Sequence, residues 1–177
     1  MKGKFNEILV FPSGEFVWRG NKMRCALGRN GVSRDRKEGD GTTPVGVFPI
    51  REVFYRADRV GEFECALPAR PIGENDGWCD DPDDPAYNRL IGLPHPARHE
   101  RMWREDNLYD IVVVLGYNDD PPVPGKGSGI FLHAASGDYA PTEGCVAISE
   151  ANLITLVREI PLGGTLRVLP SDESFSR

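Results

Sequence analysis

The chain has no long hydrophobic run. No window approaches the roughly 18 apolar residues that a membrane-spanning helix needs, so no span is expected. It has no low-complexity stretch long enough for a disordered domain, and no segment in which Lys and Arg cluster. With a formal net charge of -6 it lacks the basic footprint of a nucleic-acid binder. It has only four cysteines, Cys25, Cys65, Cys79 and Cys145, and no Cys-x-x-Cys pair. Reduced thiols are therefore expected, with a Cys65–Cys79 bridge as the alternative. The local signatures of papain-type and caspase-type cysteine proteases are missing as well. Met1 to Val10 carries two lysines but no long apolar core and no small-residue cleavage site, so it does not read as a signal peptide. That points to the cytoplasm, or to an export segment outside this sequence.

What is present is an ordinary globular composition, 40% hydrophobic and 27% charged over 177 residues. That length supports one domain with a proper core, over residues 1–170, with 171–177 as a frayed tail. Gly (20) and Pro (15) are abundant, which predicts many turns, few long helices and a mainly β fold. Residues 5–11 and 15–18 read as a hairpin around Pro12-Ser13-Gly14, with a third strand over 23–28. Arg29 to Gly41 is a polar stretch, read as a solvated loop or as a place where Arg34, Arg36 or Lys37 meets an anionic substrate group. Residues 47–55 read as a strand. Residues 58–109 are Pro-rich and irregular, yet they hold Trp78, Tyr87, Trp103 and Tyr109. Disordered segments are poor in aromatics, so this is an ordered excursion, a lid or specificity wall, with a short helix predicted over 97–105. Tyr109 to Tyr117 is apolar on both faces and predicts a central strand. Ile130 to His133 is the next strand. Ser149 caps a helix over 150–160 with Ala151, Ile154, Val157 and Ile160 on one face. Thr165 to Leu169 is the closing strand.

The chemistry concentrates between Ser128 and Ile148. One apolar run ends in His133, and a second begins after Thr142-Glu143-Gly144-Cys145. On adjacent strands these residues form a Cys/His nucleophile pair. Gly144 lets the chain turn sharply and presents the N–H groups of Gly144 and Cys145 as oxyanion donors. His133 is expected to hold Cys145 as thiolate and then to protonate the leaving amine. A third group must orient the imidazole: a backbone carbonyl near residues 134–137, Ser136 or Asp138.

This segment resembles the signature of the YkuD-type L,D-transpeptidases, a strand histidine followed by Ser/Thr-x-Gly-Cys and an apolar residue. His133 matches the histidine, and Thr142, Gly144, Cys145 and Val146 match the cysteine motif. Thr43-Pro44-x-Gly46 resembles a second recurring segment of that family. The resemblance implies a YkuD-like β-sandwich or barrel with one helix near the cysteine. It implies acyl transfer on peptidoglycan stem peptides in the cell envelope, with no cofactor and no metal. Cys145 attacks the carbonyl between an L-centre and a terminal D-amino acid, and an amine resolves the thioester. Thr142, Tyr139, Trp78 and Arg89 are the candidate substrate contacts. The chain departs from the pattern at Glu143, where histidine is usual, at Ala134, where glycine is usual, and at Ala147, where an arginine is usual. Arg89, Arg51 or the Arg34–Arg36 loop are candidate replacements for that arginine.

The alternatives are hydrolysis of the same bond by water, a non-catalytic peptidoglycan-binding domain, and a metal site built from His95, His99, Cys65 and Cys79.

Overall fold

A computed structural model describes residues 6–171. Phe5 and the tail beyond Ser171 lie outside them. The strands are β1 (Glu7–Val10), β2 (Glu15–Trp18), β3 (Asn21–Arg24), β4 (Val32–Ser33), β5 (Thr43–Pro44), β6 (Gly46–Tyr55) and β7 (Ala69–Pro71), with helix α1 (Ala57–Val60) between β6 and β7. They continue with β8 (Asp76–Cys79), β9 (Leu90–Gly92), β10 (His99–Arg101), β11 (Ile111–Leu115), β12 (Phe131–Ala134) and β13 (Val146–Ile148). Helix α2 (Glu150–Glu159) and β14 (Thr165–Val168) complete the order.

Nine strands form one sheet in the order β13-β12-β11-β6-β14-β1-β2-β3, with β7 joined to β6. Its two ends meet. Just past β3, Ala26 exchanges both backbone hydrogen bonds with Ala147 on β13, at 2.8 and 3.0 Å. The sheet is therefore nearly closed, which removes the exposed edges that an open sheet presents. The expected hairpin, the strand over 47–55 and the closing strand are all present. The third strand lies earlier than predicted, at 21–24, because the turn narrows to Arg19-Gly20, both at positive φ.

β11 is central, and all five of its residues are buried. Its alternating side chains feed two cores. Ile111, Val113 and Leu115 join the larger one, shared with Leu153, Leu156 and Val157 of α2. Val112 and Val114 join a second, with Phe54, Trp78, Met102, Tyr109, Phe131 and Cys145. A strand with both faces covered needs no polar alternation, which explains its run of Val and Ile.

α2 is capped as predicted. Ser149 accepts a hydrogen bond from Asn152 N at 3.3 Å. Its buried face is Leu153, Leu156, Val157 and Ile160 rather than one running through Ala151 and Ile154. Ala151 is exposed and Ile154 only half-buried, because the helix rolls its bulkiest residues onto the sheet. Each fully buried Leu or Val contributes roughly 1.5–3 kcal/mol.

The 58–109 stretch is ordered and folds over the second core. It carries α1, β7 and a three-stranded sheet in the order β10-β8-β9. The helix expected over 97–105 is absent. His99 to Arg101 instead form β10, paired antiparallel with Gly77 to Cys79. Edge pairing with β8 wins over a helical turn whose start would sit behind Pro96.

Candidate active site

β12 and β13 run parallel and side by side, with Leu132 opposite Val146 and His133 opposite Ala147. Cys145 precedes β13 and lies alongside Phe131. Strand alternation then puts Phe131, His133, Cys145 and Ala147 on one face. Cys145, His133 and Ala147 all line one cleft of about 850 Å3. The excursion forms much of the cleft's lining, through Trp78, Asp80, Arg98, His99, Glu100 and Arg104.

His133 is buried. Its Nδ1 lies 2.8 Å from Ala134 O. A carbonyl only accepts, so Nδ1 carries the proton and Nε2 is left as the basic nitrogen. The orienting group is thus a backbone carbonyl. Ser136 and Asp138 are occupied with each other at 2.7 Å. The Tyr109 ring meets the imidazole edge-on at 5.2 Å.

The resting cysteine is a thiol. Burial, reinforced by the charge of Glu100, pushes Cys145 up to about 12, while burial brings His133 down to about 4. The sulfur donates to Gly129 O at 3.3 Å and accepts from Phe131 N at 3.4 Å. The expectation of a standing thiolate is therefore corrected. Both partners rest neutral, because desolvation penalises a charge on either one.

The loop before Cys145 is built by Thr142. Its hydroxyl donates to Cys145 O at 2.7 Å and accepts from Gly144 N at 3.1 Å. This corrects the oxyanion expectation, since the Gly144 N–H is already engaged and the Cys145 N–H remains as the candidate. Gly144 is required for a different reason. Its φ is 137°, and a Cβ there would stand 2.6 Å from both Arg36 Nη1 and Thr42 O. Glu143 is exposed and ion-paired with Arg29.

Arg36 is the cation that approaches Cys145. It is only 4% exposed and lines the cleft. Its Nη1 donates to Thr42 O and to Asp40 Oδ1, the latter at 3.3 Å. Its Nε is buried without a hydrogen-bond partner among the described residues. The other proposed replacements point elsewhere. Arg51 is paired with Asp119 at 2.9 Å, and Arg89 is exposed and does not line the cleft.

Of the expected substrate contacts, Thr142 and Trp78 line the cleft, while Tyr139 and Arg89 do not. Tyr139 sits at positive φ under Arg24, whose guanidinium lies 4.4 Å from the ring. Trp78 is fixed by Asn88 Oδ1 at 3.0 Å and by an edge contact with Phe131 at 5.0 Å. Tyr87 pins the wall, donating to Glu38 Oε2 at 2.5 Å and accepting from Gly127 N at 2.9 Å. Trp103 stacks on Arg56 at 3.5 Å. Glu100 and Tyr109 were not foreseen as site residues. Glu100 reads as one polar residue in an irregular segment, and no local pattern marks it.

The metal alternative is rearranged. Cys79, Asp84 and His95 place donor atoms within 4.8 Å of one another, without Cys65 or His99. They do not line the cleft. All four cysteines are free thiols.

The L,D-transpeptidase catalytic domain model, YkuD, matches residues 6–169. The chain belongs to this family. Among solved structures it is similar to Mycobacterium tuberculosis L,D-transpeptidase 1, at 14% identity and a TM-score of 0.45, covering 95% of this chain and 60% of that one. It is also similar to M. tuberculosis L,D-transpeptidase 3 in complex with a faropenem-derived adduct, at 15% identity and a TM-score of 0.44, covering 93% and 60%. A third is an L,D-transpeptidase from Mycobacterium smegmatis, at 13% identity and a TM-score of 0.44, covering 93% and 58%. The chain thus spans about 60% of the length of these structures. No curated protein matches it by sequence. Among the described residues no helix is long and apolar enough to cross a membrane.

Proposed function

We propose that the protein is a cysteine acyltransferase acting on peptidoglycan stem peptides in the cell envelope, an L,D-transpeptidase that cross-links stems or exchanges their terminal D-amino acid. The observation that carries this reading is the placement of Cys145 and His133 on one face of two adjacent parallel strands, both opening onto one cleft. The tautomer set at Ala134 O leaves His133 Nε2 as the base.

In the first half-reaction the substrate carbonyl displaces Cys145 from Gly129 O. His133 Nε2 takes the thiol proton as sulfur adds to the carbonyl carbon. The Cys145 N–H stabilises the oxyanion. The imidazolium then protonates the departing amine of the D-residue, leaving a thioester. Because both groups rest neutral, the proton moves from Cys145 to His133 only as sulfur adds to the carbonyl carbon. Arg36 takes the place of the arginine lacking at Ala147, as receptor for an anionic group of the donor. Its buried Nε supports this, because an unpartnered buried donor is costly to the free enzyme and is satisfied by an anion. The 58–109 excursion serves as the specificity wall.

The test is incubation with a tetrapeptide-bearing muropeptide and mass analysis of the products. A cross-linked or exchanged product is expected from the wild type and none from Cys145→Ala, with unchanged circular dichroism. Full turnover by Cys145→Ala overturns the mechanism. Hydrolysis products alone would replace transfer by peptidase activity.

A further inference from the structure

The cleft is lined by four acids, and among the described residues Glu100 is the one engaged by no ion pair and by a single hydrogen bond. The other three are committed. Glu38 accepts from Tyr87 and Ser128, at 2.5 and 2.7 Å. Asp80 is paired with Arg98 at 3.0 Å, and Glu143 with Arg29. Glu100, projecting from β10, has no cation within ion-pair distance among the described residues. Its Oε1 accepts the Tyr109 hydroxyl at 2.6 Å. Arg104, whose charge reaches Glu100, is bound to Asp106 through two hydrogen bonds of 2.9 and 2.6 Å. Glu100 nonetheless lines the same cleft as Cys145 and His133, and its charge is felt at the Cys145 sulfur. Tyr109 joins the two halves, since its hydroxyl holds Glu100 and its ring abuts His133.

A carboxylate facing a thiol nucleophile opposes formation of the thiolate, so on the first half-reaction alone its presence is a liability. An unpaired acid in a cleft fits a cationic ligand. Arg36 stands beside Gly144, whereas Glu100 is carried by β10 of the excursion.

We propose that Glu100 is the receptor for the acceptor amine: it binds the incoming ammonium group and takes its proton, and so decides between aminolysis and hydrolysis of the Cys145 thioester. This rests on the acyl-transfer reading above. The step balances. An ammonium docks on the Glu100 carboxylate and passes one proton to it, becoming a free amine. Its nitrogen lone pair forms the C–N bond as the C–S bond breaks, and the sulfur leaves with the bonding pair. The second amine proton passes through His133 to the Cys145 sulfur, and Glu100 returns its proton to solvent. Burial raises the Glu100 carboxyl above its ordinary range. This brings it closer to the proton affinity of an amine and makes the transfer less uphill.

The test uses the full chain, acylated by a synthetic peptide with an L-centre before its terminal D-alanine. The acyl-enzyme is offered either D-methionine, an ammonium at neutral pH, or hydroxylamine, which is neutral. The readout is the ratio of amide to acid product, a partition measured after acylation and independent of its rate. Glu100→Gln is expected to lower this ratio at least tenfold for D-methionine and to change it less than twofold for hydroxylamine. Glu100→Asp should restore part of it. Tyr109→Phe, which keeps the ring against His133 and loses the hydroxyl that holds the carboxyl, should lower the D-methionine ratio less than Glu100→Gln does. An equal ratio in wild type and Glu100→Gln, or equal losses with both acceptors, overturns the role of Glu100 while leaving acyl transfer intact. Absence of any acyl-enzyme in the wild type overturns both.

Discussion

The Cβ that Gly144 lacks would stand 2.6 Å from Nη1 of Arg36. The residue before the nucleophile and the buried cation of the cleft thus exclude each other's enlargement. Gly144→Ala is expected to displace Arg36 or the Thr142–Cys145 turn, and the positive φ of 137° adds strain to any side chain there. The expected outcome is a drop of at least tenfold in turnover and a lowered melting temperature. Product analysis and thermal denaturation check it. Wild-type behaviour of this variant would mean that the close approach has no consequence.

Arg36→Gln removes the charge and keeps much of the shape. If Arg36 receives an anionic group of the donor, kcat/KM for a carboxylate-bearing donor falls about 10- to 100-fold, the range expected for one charge-assisted hydrogen bond. An amidated donor should lose far less. Arg36→Lys should not rescue fully, because an ammonium lacks the planar fork of donors. Equal losses on both donors would assign Arg36 to loop structure alone.

Thr142→Val deletes the hydroxyl that bonds both Cys145 O and Gly144 N. The turn loses two hydrogen bonds, each with a net contribution of about 1 kcal/mol. The urea midpoint should fall accordingly. Turnover should fall further than stability accounts for, since the turn positions the nucleophile. Thr142→Ser should behave nearly as wild type.

The pH dependence follows from burial. His133 titrates at about 4 in the folded protein and near 6.5 when unfolded. Between these values the unfolded chain binds a proton that the folded chain does not. Stability therefore falls as pH drops from about 6.5 to about 4, by up to about 3 kcal/mol from this residue. Glu100 acts in the opposite sense, because its carboxyl is raised in the folded state and protonation there favours folding. Urea midpoints measured from pH 7 to pH 4 should decline less in His133→Gln and more steeply in Glu100→Gln. The acid limb of kcat/KM should also lie well below the ordinary imidazole range. A limb near 6.5 would show that His133 is solvated in the working enzyme.

Much of this protein is legible in local pattern. The Val-rich run at 111–115, the Ser149 cap and the His133 and Thr142-Glu143-Gly144-Cys145 pair are short-range signals, and each appears where the residues place it. The errors are of a different kind. The 97–105 segment has a helical option, yet β8 supplies an edge that pairs it as a strand. Tyr139 and Arg89 look like substrate contacts by type, but chain direction turns them away from the cleft. Arg36 and Glu100 lie 109 and 45 residues before Cys145 in the chain, and only closure of the sheet and folding of the excursion bring them to one cleft. Proton positions were hidden for the same reason. Residue type says that a cysteine and a histidine can exchange a proton, whereas burial, which depends on everything packed around them, says that both rest neutral. The choice of Cys145 and His133 as candidate nucleophile and base is legible in sequence, because it needs only residue type and spacing. The resting charge state, the cation and the free acid belong to the tertiary structure, because desolvation and long-range approach have no local code.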